Sequence, residues 1–134
     1  VKVAVAVILD SAKKILITQR PLHVPHPGAW EFPGGKVEDL ESPSEALIRE
    51  VYEEVGLAVE RFDFLGEVVH SYGPKLVQLQ VFLISKFAGT AACNESQLDL
   101  RWVSFQELND FEFPEANLKI ISMIEDSFSS AVSE

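Results

Sequence analysis

The sequence predicts a domain of the α+β or α/β class. Three observations carry that prediction. Val3 to Leu9 is a near-continuous apolar run with the length and residue types of a strand buried on both faces. Ser42-Pro43-Ser44-Glu45 opens a stretch of helical periodicity that stops at Gly56. Phe62 to Tyr72 and Leu76 to Phe87 then flank Gly73-Pro74-Lys75 and read as two strands of a hairpin.

The elements follow in order. After the first strand, Asp10 to Lys14 is a turn, and Ile15 to Gln19 is a second strand rich in β-branched residues, expected to form a hairpin with the first. Pro21, Pro25, Pro27 and Gly28 punctuate a loop that includes His23 and His26 and is expected to form a mobile rim. Trp30-Glu31-Phe32-Pro33 leads into Gly34-Gly35. For the helix, Ser42 is the expected N-cap, Pro43 the first helical residue, Glu45 the partner in a capping box, and Gly56 the left-handed stop. In the second hairpin Val77, Leu79, Val81 and Leu83 alternate with Gln78, Gln80 and Phe82, so one face is drier. Ala88 to Gln97 is a polar, small-residue loop, and Leu98 to Phe105 returns as a strand carrying Trp102. Ser104 and Glu107, at capping-box spacing, predict a short helical turn. Phe113 to Asn117 opens a last helix whose Leu118, Ile120, Ile121 and Ile124 are expected to face inward. The tail, Ser129 to Glu134, is polar and expected to fray. No repeat or linker interrupts the chain, so 1–134 reads as one domain.

Composition narrows the function. A chain of 134 residues, 47% hydrophobic, can bury one sizeable core. Its formal net charge of −10 argues against duplex DNA or RNA as a partner. A small polyanion still fits if metal ions cancel charge locally. Cys93 is the single cysteine, which excludes an intrachain disulfide and points to a reducing compartment. No apolar run reaches membrane-spanning length. The opening residues lack a basic n-region and a cleavage site and read as a strand, and a chain starting at Val1 is expected to have lost an initiator methionine or a few residues more.

The chemistry concentrates in Gly34 to Leu57. On the helix, Leu47, Ile48, Val51, Tyr52 and Val55 form an apolar stripe, and Glu50, Glu53 and Glu54 fill the arc beside it. Carboxylates this close repel one another and weaken an isolated helix. Divalent cations neutralise them, and hard oxygen ligands suit Mg²⁺ or Mn²⁺. Most acidic helix faces are only solvated. A solvated face has no need of the Gly34-Gly35 turn, Glu41, Arg49 or Gly56, and Arg49 can orient the carboxylates by pairing with Glu53 and its neighbours.

That stretch, GGKVEDLESPSEALIREVYEEVGL, resembles the signature of the Nudix hydrolase family at every defining position. Ile15 to Arg20, Trp30 to Gly35 and Phe113 to Asn117 extend the resemblance, which is greatest to the MutT-like branch. It implies an α/β/α sandwich, a mixed sheet between helices. It also implies Mg²⁺-dependent hydrolysis of a nucleoside diphosphate linked to another group, with Mn²⁺ able to substitute. On matching positions the Gly34 carbonyl, Glu50, Glu53 and Glu54 are the implied metal ligands. Glu50 is the implied activator of water, with Glu53 and Arg49 completing the catalytic set, while Glu41 steadies the loop and Arg49. Relatives supply a further carboxylate directly before the late strand's tryptophan. Here Arg101 occupies that place, leaving Glu95 or Asp99 as candidates.

The same resemblance implies Arg20, Phe32, Tyr72 and Asn117 as nucleotide-binding residues, with Asn117 reading a base edge through an amide that both donates and accepts. The expected substrate is 8-oxo-dGTP, hydrolysed to 8-oxo-dGMP and pyrophosphate. CTP or another nucleoside diphosphate derivative is the alternative, and a non-catalytic nucleotide-binding module is the third reading, against which the intact glutamates argue. His23, His26 and His70 show no metal-ligand spacing and read as loop or surface residues. A cytoplasmic monomer or homodimer, acting on a small nucleotide and on neither a polymeric nucleic acid nor a membrane, completes the expectation.

Overall fold

The computed structural model describes the backbone of residues 1–133 and the side chains of residues 1–128. The expected fraying from Ser129 to Glu134 therefore lies outside the described side chains. In chain order the elements are β1 (Lys2–Ile8), β2 (Ile15–Gln19), β3 (Trp30–Glu31), β4 (Gly34–Lys36), α1 (Pro43–Val55), β5 (Ala58–Tyr72), β6 (Lys75–Ala88), β7 (Asp99–Val103), a 3₁₀ turn at Gln106–Asp110, and α2 (Glu115–Ser133).

Strand β1 sits inside a mixed four-stranded sheet of order β4-β1-β6-β5. It runs antiparallel to β4, with Val5 opposite Gly34, and parallel to β6, with Val5 opposite Val81. Its unbroken apolar run follows from burial on both faces. Ala4, Ala6 and Ile8 pack with Leu47, Val51 and Val55 of α1, whereas Val5 and Val7 belong to the core beneath Ile120 and Ile124 of α2. The sheet thus lies between the two helices, an α/β/α sandwich.

The turn after β1 forms as expected, with Asp10 Oδ1 accepting from the amides of Ala12 and Lys14 at 2.9 and 2.8 Å. The expected β1–β2 hairpin does not. Both edges of β1 are taken by β4 and β6, so β2 shares with it only the Leu9–Ile15 bridge and pairs instead in a second sheet, β3-β2-β7. The β5–β6 hairpin is present and longer than expected, paired from Ala58–Ala88 to Tyr72–Lys75.

Helix α1 begins and ends on the residues the sequence indicates. Ser42 Oγ accepts from the Glu45 amide at 3.2 Å, and Glu45 Oε1 accepts from the Ser42 amide at 2.9 Å. Gly56 closes the helix at φ 75°, its amide donating to the Tyr52 carbonyl at 3.0 Å. The buried face is Ala46, Leu47, Val51 and Val55. It is narrower than predicted, for Tyr52 is 64% exposed and Ile48 is also exposed, because one sheet covers only one side of the helix. On α2, Ile120 and Ile124 are buried and Ile121 packs against the core, but Leu118 is 53% exposed. The expected turn after β7 forms too, as Ser104 and Glu107 exchange hydrogen bonds of 2.9 and 3.3 Å. His70 departs from its reading as a loop or surface residue. It lies in β5, only 8% exposed, with Nδ1 3.0 Å from Lys119 Nζ of α2. Among the described residues no helix is long and apolar enough to cross a membrane.

Candidate active site

The turn into β4 brings backbone against the middle of α1. A Cβ at Gly35 would lie 2.3 Å from Glu50 Cδ, so glycine there lets the carboxylate reach the strand. One residue earlier, the Gly34 amide donates to Glu54 Oε2 at 2.7 Å. Arg49 holds the other side. Its Nε and Nη2 grip both oxygens of Glu41 at 2.8 and 2.9 Å, Nη1 reaches Glu50 at 2.8 Å and Glu53 at 3.2 Å, and Nη2 also donates to the Lys36 carbonyl at 3.1 Å. This guanidinium fork ties β4, the loop before α1 and the helix itself into one unit.

The electrostatics separate these carboxylates by role. Hydrogen bonds from Arg49, then from the Glu38 amide, hold Glu41 down at about 2. Glu41 is thus a fixed anion committed to Arg49, as expected. Burial pushes Glu50 up despite the Arg49 hydrogen bond, and neighbouring Glu53 and Glu95 add to the rise. Glu54 is pushed up to about 9, chiefly by burial, against the pull of the Gly34 amide and reinforced by Glu50, Glu31 and Glu95. At neutral pH a carboxyl in that setting keeps its proton unless a cation replaces it. The donor set therefore fits a divalent metal ion: oxygen ligands only, partly buried, with anionic charge unmatched by Arg49 alone.

Among the described residues no three acidic, histidine or cysteine side chains converge as a finished cage. Arg49 draws Glu50 and Glu53 one way, and the Gly34 amide draws Glu54 the other.

Of the two further candidates, the charge of Glu95 adds the smallest of the upward contributions to Glu50 and Glu54. Asp99 is engaged elsewhere, accepting from the Leu100 amide at 2.8 Å and from Arg101 at 3.1 Å. Arg101 lies over the Trp30 ring at 5.7 Å.

A pocket of about 410 Å³ opens between the sheet and the start of α2. Arg20, Phe32, Tyr72 and Asn117, which come from four separate parts of the chain, all line it, and so does Gly34. Phe32 stacks on Phe113 with centroids 5.6 Å apart, and its amide donates to Asn117 Oδ1 at 3.4 Å. Arg20 donates to the Pro25 carbonyl and to Glu31 Oε1, both at 2.8 Å. Sequence reasoning missed three further lining residues, Glu31, Lys75 and His26. Lys75 looked like ordinary turn chemistry, and only the β5–β6 register brings it beside Tyr72. Adjacency to Phe32 on a strand was the available signal for Glu31.

The family model for the NUDIX domain matches residues 1–124. The chain belongs to the Nudix hydrolase family. Among Nudix relatives, the 8-oxo-dGTP diphosphatase of Escherichia coli is 31% identical over 123 residues, covering 92% of this chain and 95% of its own. The CTP pyrophosphohydrolase of the same organism is 32% identical over 117 residues, covering 87% and 86%. A solved MutT structure, described for Aliivibrio salmonicida and Vibrio cholerae, superposes with a TM-score of 0.81 at 32% identity, covering 92% of this chain and 94% of that one. The chain is accordingly a Nudix pyrophosphohydrolase with a MutT-like fold, of a family that uses divalent metal ions and small nucleotide substrates.

Proposed function

We propose that this Nudix hydrolase converts 8-oxo-dGTP to 8-oxo-dGMP and pyrophosphate in the cytoplasm, with Mg²⁺ as cofactor and Mn²⁺ able to replace it. One observation carries the reading. The four side chains expected to hold the nucleotide line a single pocket that ends at Gly34, the residue hydrogen-bonded to Glu54. The Gly34 carbonyl, Glu50, Glu53, Glu54 and Glu95 would hold the metal. When bound, the metal neutralises the polyphosphate and lowers the pKa of coordinated water. Glu50 accepts a proton from the attacking water, which adds at one phosphorus of the α–β anhydride as that bond breaks, giving the nucleoside monophosphate and pyrophosphate. Arg49 keeps Glu50 oriented through its 2.8 Å contact. In the pocket, Asn117 reads the oxidised base, Phe32 and Tyr72 flank it, and Arg20 faces the sugar-phosphate.

Chelation should abolish turnover, and adding Mg²⁺ or Mn²⁺ should restore it. Full hydrolysis in metal-free buffer would contradict the metal reading.

The CTP pyrophosphohydrolase among the relatives favours CTP as the second reading. Side-by-side kcat/KM values for 8-oxo-dGTP, dGTP and CTP, with the products identified, distinguish the two. In the parent protein 8-oxo-dGTP should lead. Asn117→Ala should then shrink the preference for 8-oxo-dGTP over dGTP by about ten- to a hundredfold, the worth of a hydrogen-bonded base contact. Turnover of both nucleotides should remain Mg²⁺-dependent. A parent enzyme that prefers CTP overturns the substrate, and an unchanged preference in the variant overturns the residue.

A further inference from the structure

The loop between β6 and β7 carries Glu95, and three contacts fasten that loop to the end of α1. The last carbonyls of a helix have no partner within it. Here the Ala92 amide donates to the Val55 carbonyl at 3.0 Å, and the Asn94 amide donates to the Glu54 carbonyl, also at 3.0 Å. The third contact is a side chain. Gln97 Nε2 donates to the Glu54 carbonyl at 2.9 Å, while Gln97 Oε1 accepts from the Glu95 amide at 2.8 Å. One amide group therefore joins the backbone of Glu54 to the backbone of Glu95.

Backbone strain works against the loop in this position. Ser96, between Glu95 and Gln97, sits at φ 62°, a left-handed conformation disfavoured for a residue with a Cβ. The Gln97 side chain opposes that strain, bridging Ser96 and anchoring it to α1.

We infer that Gln97 is a positioning residue, clamping the Glu95 loop to the C-terminal end of α1 so that Glu95 is held at the end of the helix that carries Glu50, Glu53 and Glu54. This rests on the reading that these carboxylates hold a divalent cation. Gln97 touches neither the cation nor the nucleotide and acts only through Glu95.

Mn²⁺ titrations followed by the electron paramagnetic resonance of free Mn²⁺ test the clamp without turnover. The proteins are the parent, Glu95→Gln, Gln97→Met and the double variant. Methionine keeps the length and bulk of glutamine but removes both hydrogen bonds. Glu95→Gln and Gln97→Met should each weaken Mn²⁺ binding by about tenfold or more, as loss of a metal ligand's supporting contact typically does. The double variant should bind no more weakly than Glu95→Gln alone, because a clamp without its carboxylate has nothing to position. Thermal unfolding in metal-free buffer verifies that each variant is folded at the titration temperature. Should Gln97→Met not fold, Gln97→Glu is judged by the same criteria, since it keeps the bond from Glu95 but cannot donate to the Glu54 carbonyl. Unchanged affinity in the Gln97 variant, or losses that simply add in the double variant, overturns the clamp alone. Unchanged affinity in Glu95→Gln removes Glu95 from the metal site and the clamp with it. The metal site on α1 is judged separately, by whether Glu53→Gln weakens Mn²⁺ binding.

Discussion

Replacing Glu53 by glutamine should lower kcat by about 10²-fold or more while the protein folds as before. The side chain is 49% exposed, and among the described residues its one polar contact is Arg49 at 3.2 Å. An exposed i, i+4 pair contributes little to stability, so unfolding free energy should stay within about 1 kcal/mol of the parent. A small gain is the more natural direction, because the substitution removes one of three crowded carboxylates on α1. Catalysis has no such margin. The amide is isosteric but neutral, and the reaction needs charge that opposes a cation in the presence of a polyphosphate. Steady-state kinetics and chemical denaturation on the same preparation check both halves. Near-parental kcat with parental Mn²⁺ affinity would move the metal site away from α1.

Gly34→Ala should act on the fold before it acts on chemistry. An added Cβ would lie 2.1 Å from the Ala4 carbonyl oxygen and 3.0 Å from Val5 Cα, both backbone atoms of the strand paired to β4. No side-chain rotation relieves that contact, so β4 must part from β1. A cost of at least about 3 kcal/mol is expected, toward the high end for a single substitution. Chemical denaturation of parent and variant measures it. If the variant unfolds at the parental midpoint with its pairing intact, the close approach of the two strands is not what glycine serves here.

Sequence reasoning was strongest where the cause is local. The capping box at Ser42 and Glu45, the left-handed Gly56 and the two-faced burial of β1 depend on residues adjacent in the chain, and each appears as expected. It failed where partners come from afar. A turn at Asp10 to Lys14 suggests a hairpin, but strand pairing is decided by which edges remain open, and β4 and β6 occupy those of β1. His70 looked peripheral because its partner, Lys119, arrives from α2. The stripe on α1 was drawn too wide, since helical spacing gives a face but not how much of it a single sheet covers.

The site divides in the same way. Glu50, Glu53, Glu54, Arg49 and Glu41 lie within two turns and a loop, and the resemblance of that stretch to the family signature brought them forward. The contacts that distinguish Glu95 from Asp99 were invisible, because they depend on Arg101 pairing with Asp99 and on the Glu95 loop fastening to α1. Lys75 carried no signal at all, being an unremarkable turn residue until the β5–β6 register places it at the pocket.

The two-faced burial of β1 has a consequence for how such an enzyme diversifies. The carboxylates ride on the helix over one face of the sheet, while Val3, Val5, Ile120 and Asn117 border the pocket on the other. On the proposed reading a wall one strand thick separates the cleaving apparatus from the recognising one, and Gly34 both lines the pocket and donates to Glu54. Exchanges on the recognition side can retune which nucleobase is admitted without displacing a single acidic oxygen on the other. The architecture therefore lets one hydrolytic machine be inherited intact while its clientele changes.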